Sequence, residues 1–366
     1  MAVLGVASIT PAFPKIEKVL NISEQQVGLL ITVFTLPGVI LTPVLGVLAD
    51  RFGRKQILIP SLILFGIAGT SCFFTRHFDL LLVFRLVQGI GAASLGSLNV
   101  TLIGDFFEGR NRTAAMGYNA SILSIGTASY PAIGGALATI GWYFPFLLPS
   151  LAVPIALVAL YSLKTPMPVN NQNLKEYLVK AWKGIKDKRV IGIFIASIFT
   201  FIILYGAYLT FLPFLLDSDF SASPLIIGLF MSVMSLTTAV TSSQLGRLSG
   251  KFSQQILLKA AFVIYALALI IIPLTPHLLL MIIPLVFFGI AHGLNIPSLQ
   301  TMLTNLAPVE NRAAFMSLNG MVLRLGQTLG PLIMGFVFGL SGIAGVYYAG
   351  AAFAFLMFVL ILVMIG

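Results

Sequence analysis

Apolar residues along this chain come in blocks of about twenty, separated by short polar stretches. The blocks fall at 26–48, 56–75, 79–104, 113–138, 142–163, 190–216, 224–248, 256–275, 278–303, 312–339 and 343–366. A helix of about 20 apolar residues crosses the hydrocarbon layer of a bilayer. Each block therefore predicts one membrane span, eleven in all. Residues 1–13 are apolar but too short to cross alone, and Pro11 and Pro14 are expected to close them off. Counted as a first span that is short or truncated, or as a half-helix, they bring the total to twelve. The pattern predicts an all-α membrane protein.

The longest polar stretch, 164–189, divides the spans into two sets of six. The expected organisation is a six-helix bundle over 1–163, a linker over 164–189 and a second six-helix bundle over 190–366. The linker opens with Pro166, Pro168 and the Asn170–Asn171 pair, which favour irregular backbone. Leu174, Tyr177, Leu178, Ala181, Trp182 and Ile185 then recur at helical spacing, with lysines on the other face. That predicts an amphipathic helix lying in the lipid interface against an anionic leaflet.

Composition agrees with lipid as the solvent. Apolar residues make up 58% and charged residues 9%, against roughly 25% charged in soluble domains. The net charge of +10 does not point to nucleic acid, because the basic residues are scattered between apolar runs. Membrane topology accounts for them better. The loops near 49–55, 105–112, 164–189, 247–259 and 307–312 carry sixteen of the 21 Lys and Arg, whereas the opposite loops keep Lys15, Lys18 and Arg76. Both termini are expected in the cytoplasm, in a multi-pass protein of the inner cell membrane. Cys72 is the single cysteine, and His77, His277 and His292 are far apart, so no disulfide framework, metal site or triad is expected. No phosphate-binding loop points to ATP, and no cofactor or enzymatic chemistry is expected.

At an offset of 200 the halves repeat one another. Between 111 and 135, ten of twenty-five positions match: Asn111/Asn311, Arg112/Arg312, Ala114/Ala314, Met116/Met316, Asn119/Asn319, Leu123/Leu323, Gly126/Gly326, Pro131/Pro331, Ile133/Ile333 and Gly135/Gly335. Gly46, Leu48 and Phe52 likewise match Gly246, Leu248 and Phe252. A duplicated six-helix unit keeps one orientation in both copies, so the expected halves are parallel, with a site at the midplane between them.

Three motifs stand out. The first is Gly46-Val-Leu-Ala-Asp50-Arg51-Phe-Gly53-Arg54-Lys55, between the second and third spans. Gly46 permits close helix approach, Asp50 suits the N-terminal dipole of a helix from the other half, and Arg54 can pair with Asp105. The second is Arg85-Leu-Val-Gln88-Gly89-Ile-Gly91-Ala92 in the fourth span. A charge there costs a few kcal/mol or more unless it faces a cavity or a partner. The alternative is an arginine reaching to the headgroups. The third is Gly117-x8-Gly126-x3-Tyr130-Pro131-x2-Gly134-Gly135 in the fifth span, a smooth glycine face with a proline bend. Gly326, Gly330 and Pro331 repeat it in the eleventh span.

These motifs resemble those of the major facilitator superfamily, and within it the twelve-helix drug–proton antiporters. The resemblance covers the chain apart from the short first span. It implies that Gly46, Asp50, Arg51, Gly53, Arg54 and Asp105 form a cytoplasmic latch of the outward-open state. It implies a part for Arg85 in proton coupling, and it makes the third motif the hinge of an antiporter. The family usually has glycine where Tyr130 stands, and the second-half copy of the first motif, Gly246 to Lys251, lacks the acid.

In the family the first, fourth, seventh and tenth spans line the cavity. Candidate cavity residues are Gln88 and Asn99, Tyr205 and Tyr208, and His292 and Asn295, each pair spaced to share one helix face, with Arg324 as a second buried cation. The blocks contain no mid-span Asp or Glu, which leaves His292 or Asp217 as the expected proton carrier beside Arg85. The expected function is export of drugs or lipophilic, amphipathic metabolites in exchange for protons. The partners would be the small-molecule substrate, protons and the bilayer, with the protein acting as a monomer. A facilitator or importer of a sugar or organic acid is the alternative. A transporter-like sensor or membrane enzyme is a third reading, without convergent groups to support it.

Overall fold

The computed structural model describes residues 3–163, 187–306 and 312–365. Among them there are only helices and their connections. The first half comprises α1 (Leu4–Ala7), α2 (Phe13–Leu20), α3 (Glu24–Phe52), α4 (Arg54–Phe74), α5 (Phe78–Ala92), α6 (Leu95–Phe106), α7 (Gly109–Ile140) and α8 (Ala152–Ser162). The second comprises α9 (Lys188–Ile202), α10 (Leu212–Phe220), α11 (Pro224–Ser249), α12 (Gln254–Ile271), α13 (Ile282–Leu306) and α14 (Arg312–Met364).

Nine helical stretches among the described residues are long and apolar enough to cross a membrane. One of them, Leu318–Met364, breaks at Gly342, whose φ of 68° interrupts the helix between the two blocks expected there. α7 has spanning length but is richer in small and polar residues, and it is not one of the nine. Exposed apolar side chains around the outside, such as Ile40, Phe74, Val158, Phe336 and Val363, form the surface that lipid covers.

The opening segment corrects an expectation. Pro11 and Pro14 do not close it off: a 3-10 turn at Thr10–Ala12 leads into α2, and each proline sits in the first turn of its element. A missing N–H costs nothing there. The helical path runs on to Leu20, with Ile9, Ala12, Phe13 and Ile16 buried.

Local chemistry fixes the helix ends. Asn21 stops α2 in the left-handed region at φ 51°, and Ser221 stops α10 at the same φ. Ser23 and Ser223 then cap α3 and α11 by accepting from Gln26 N and Ile226 N. Gly53 alone separates α3 from α4, at φ 104°, where a side chain would be strained. The expected amphipathic helix of the linker lies outside the described residues, and α9 begins at Lys188, two positions before the expected boundary.

Candidate functional site

The halves meet along two seams, α3 against the first part of α14, and α7 against α11. In the second seam a Cβ at Gly135 would overlap the Pro224 carbonyl, and one at Gly228 would overlap the Pro131 carbonyl. The first seam has the corresponding partners at the offset of 200: a Cβ at Gly28 would stand 3.3 Å from Pro331, and one at Gly335 would stand 3.6 Å from Gln25. Its polar ladder is Thr32, which donates to the Thr328 carbonyl at 3.2 Å, and Thr35, which shares a 2.9 Å hydroxyl bond with Thr328.

One end of the bundle is drawn shut. Lys18 of α2 and Asp217 of α10 pair at 2.6 Å, Phe13 packs on Phe214 at 6.4 Å, and Thr10 reaches Met231. Toward the other end contacts lapse. A Cβ at Gly46, Gly117 or Gly246 would meet no described atom within 4 Å. Tyr118, Ile122, Leu123 and Ile125, which spread over nearly half the circumference of α7, are all exposed. Among the described residues the close approach expected at Gly46 is therefore not made in this conformation.

Each candidate residue has a definite place in this frame. Arg54 Nε donates to Asp105 at 2.7 Å, and its Nη2 lies 3.3 Å from Asp50, which ties α3, α4 and α6 together within the first half. Arg51 is exposed and lies over the Phe52 ring. Arg85 does not reach for the headgroups. Its side chain is fully buried, with Nε on the Leu30 carbonyl at 3.0 Å, Nη1 on Gln88 at 2.6 Å and the guanidinium 4.1 Å from the Phe34 ring centre. Gln88 is equally buried.

Three of the expected shared faces are corrected. Asn99 does not join Gln88: the helix breaks at Ala93–Ser94, and Asn99, exposed on α6, bonds Asn119 instead. Tyr205 and Tyr208 lie in a π-helical stretch, Ile203–Phe211, where the wider turn separates them. Tyr208 donates to the Met231 carbonyl and stacks on Phe288, whereas Tyr205 turns toward Phe201 and Gly330. His292 and Asn295 also part company. His292 Nδ1 shares a 2.5 Å bond with the Tyr265 hydroxyl, and Asn295 accepts from Thr200 at 3.1 Å. Three residues advance a helix by 300°, so such neighbours diverge by about 60°.

The glycine face of α7 is realised at one end only. Gly134 and Gly135 pack on the backbones of Ser8 and Pro224, Gly117 is open, and Gly126 is covered by the ring of Tyr130. In α14, Gly326 packs on Ile198 and Gly330 on Gly206 and Ile202, holding α14 against α9 and the π stretch. Asp217 stands at the shut end of the bundle, not at mid-depth. Sequence reasoning missed Lys18, Thr32, Thr35, Thr328, Tyr265 and Thr200. The threonines carry a faint signal, polar side chains inside apolar blocks, but their partners lie far away along the chain.

Comparison with known proteins follows the same lines. The family model described as Major Facilitator Superfamily matches residues 1–218 and 209–366. Multidrug resistance protein 2 of Bacillus subtilis (strain 168) is 27% identical over 349 residues, covering 93% of this chain and 87% of that protein. The bacillibactin exporter of the same organism is 25% identical over 342 residues, covering 90% and 85%. A bacterial homologue of the human lysosomal transporter Spinster, solved inward-facing and unoccupied, superposes with a TM-score of 0.75 at 20% identity, covering 99% of this chain and 93% of that one. With both halves matched and the helical frame shared, this chain belongs to the Major Facilitator Superfamily of membrane transporters.

Proposed function

We propose that the chain is a secondary exporter of small amphipathic or lipophilic molecules, working by alternating access in exchange for protons. Twelve spans in two parallel six-helix halves are part of this reading. It counts the path 4–20 as the first span, α7 as the fifth, and the two parts of α14 as the eleventh and twelfth. Paired contacts at an offset of 200 support the repeat, since the α3–α14 and α7–α11 seams are copies of one seam. The excess of Lys and Arg in alternate loops supports cytoplasmic termini, which makes the parted end cytoplasmic and this conformation inward-open.

The observation that carries alternating access is the asymmetry of the seams. They are bonded by Lys18–Asp217 and backbone-on-glycine packing at one end, and among the described residues a Cβ at Gly46, Gly117 or Gly246 at the other would meet nothing within 4 Å. Two rigid halves that touch at one end only can rock to touch at the other. On this reading the Arg54–Asp50–Asp105 cluster belongs to the surface that meets the second half after rocking. Arg85 orders α3 against α5 in the half that moves and takes part in proton coupling. His292, bonded to Tyr265, is the titratable group nearest mid-depth. Tyr205, Tyr208 and Asn295, on the walls between the halves, line the substrate path. Names of relatives, one a multidrug resistance protein and one an exporter, support the outward direction.

The test is purified protein in liposomes loaded with a lipophilic dye. Outward dye movement should accelerate with an inward proton gradient and slow when the gradient is collapsed. Efflux indifferent to the gradient removes antiport, and no protein-dependent dye movement removes export.

A further inference from the structure

We propose that Arg324 and Gln327 form an anion-binding subsite at the α3–α14 seam, which receives the negatively charged head of an amphipathic substrate. The proposal rests on the transport reading and adds the substrate's charge to it.

Arg324 stands near the middle of the first part of α14, opposite Gly38, the central residue of α3. Its Cγ, Cδ and Nε run along Gly38, at 3.0 to 3.2 Å from where a Cβ would stand, so a larger residue there would press on the side chain. The position is one turn from another contact of the seam, Thr42 against Gly320. Arg324 is half-buried, and part of its surface stays open. Its contact with Gly38 of α3 seats that surface at the seam between the halves.

The hydrogen bonding leaves donors to spare. Nη1 donates to Gln327 Oε1 at 3.1 Å, and the Gln327 amide nitrogen has no acceptor among the described residues. The other guanidinium N–H groups have no protein acceptor among the described residues, and no salt bridge involves Arg324. The described acids stand at helix ends: Glu17, Glu24, Asp50, Asp79, Asp105, Glu108, Asp187, Asp217 and Asp219. The interior therefore holds two guanidiniums and no carboxylate. Arg85 places Nε and Nη1 on Leu30 and Gln88 and leaves Nη2 sealed without a partner among the described residues, whereas Arg324, bonded to Gln327 through Nη1, keeps part of its surface open. A cation at mid-depth is tolerated when a partner or cavity compensates it, and a planar fork with a neighbouring amide donor suits a carboxylate or phosphate. Tyr205 lies within electrostatic reach of Arg324, and its ring suits an apolar body attached to that head.

The experiment uses the full chain purified in detergent, with probes matched in shape and differing in charge: 1-pyrenebutyrate, its uncharged amide, and tetraphenylphosphonium. Binding is read as a shift in melting temperature against concentration. Pyrenebutyrate should bind at least about tenfold more tightly than the amide. Arg324→Gln should weaken pyrenebutyrate by about tenfold to a hundredfold, the range for a lost charge-assisted bond, and leave the amide within about twofold. Arg324→Lys should keep part of the preference. Equal binding of acid and amide by the wild type, or a preference that survives Arg324→Gln, overturns the proposal. Where Arg324→Gln does not insert, Gln327→Glu decides: the new carboxylate should occupy Arg324 and abolish the preference, and an unchanged preference overturns it. Dye efflux from liposomes is measured in parallel. Efflux without anion preference removes the subsite and leaves the exporter, whereas anion preference without efflux removes the exporter and leaves a binding site.

Discussion

Gly228→Ala should tip the protein from its present conformation toward the opposite one. In the shut state a Cβ at position 228 would overlap the Pro131 carbonyl oxygen, 2.9 Å from its carbonyl carbon and 3.2 Å from Ala132 Cα. Carbon atoms rest about 3.5–4.0 Å apart, and the obstruction is helix backbone, which cannot swing aside as a side chain can. α11 and α7 must therefore separate by several tenths of an ångström or more at that end. Overpacking of this kind costs about 1–3 kcal/mol, and the cost falls only on the conformation in which the two helices touch. A strain confined to one state shifts the equilibrium by that amount, so the shut-to-open ratio at this end should fall about 5- to 150-fold. Spin labels on Val19→Cys and Ser218→Cys, in a Cys72→Ser background, would report it by double electron–electron resonance. Val19 ends the first helical path and Ser218 lies beside Asp217, both exposed at the shut end. The wild type should give mainly the short separation, and Gly228→Ala a dominant long one. A short separation unchanged in a folded Gly228→Ala protein would refute the claim that backbone-on-glycine contact governs closure.

Asp217→Asn should lower the same shut population only mildly. Its partner Lys18 is 61% exposed, and exposed ion pairs contribute about 0.2–1 kcal/mol. The same labels read the change, and a shift as large as that of Gly228→Ala would contradict this ranking. Arg85→Ala should abolish dye efflux while the protein still inserts in the membrane, and Arg85→Lys should not restore it, since an ammonium cannot bridge Leu30 and Gln88 as the planar fork does. Normal efflux by Arg85→Ala would leave that side chain a packing role only. Asp50→Asn should slow turnover more than it weakens binding, measured as maximal rate against half-saturation; an equal effect on both would take Asp50 out of the conformational step.

The sequence by itself determined the solvent, the element type and the division into halves. Blocks of about twenty apolar residues have one stable solution in hydrocarbon, because every backbone N–H must be paired within its own segment. The offset of 200 was legible because Asn111, Pro131 and Gly135 recur as Asn311, Pro331 and Gly335, and caps such as Ser23 and Ser223 answer the same local geometry. The Arg54–Asp105 pair could be read as well, since two helix ends that lie at the same membrane depth bring opposite charges together. Spacing misled where the helix departs from 3.6 residues per turn. The break at Ala93–Ser94 took Asn99 away from Gln88, and the π turn divided Tyr205 from Tyr208. Only the tertiary structure decided which glycines bear another backbone, that Lys18 meets Asp217 across 199 positions, and that Arg85 is sealed inside the first half while Arg324 keeps part of its surface open. Those are properties of how two bundles lean on each other. In a membrane that lean is set by close packing and a few polar contacts, because lipid is as apolar as the helices it surrounds.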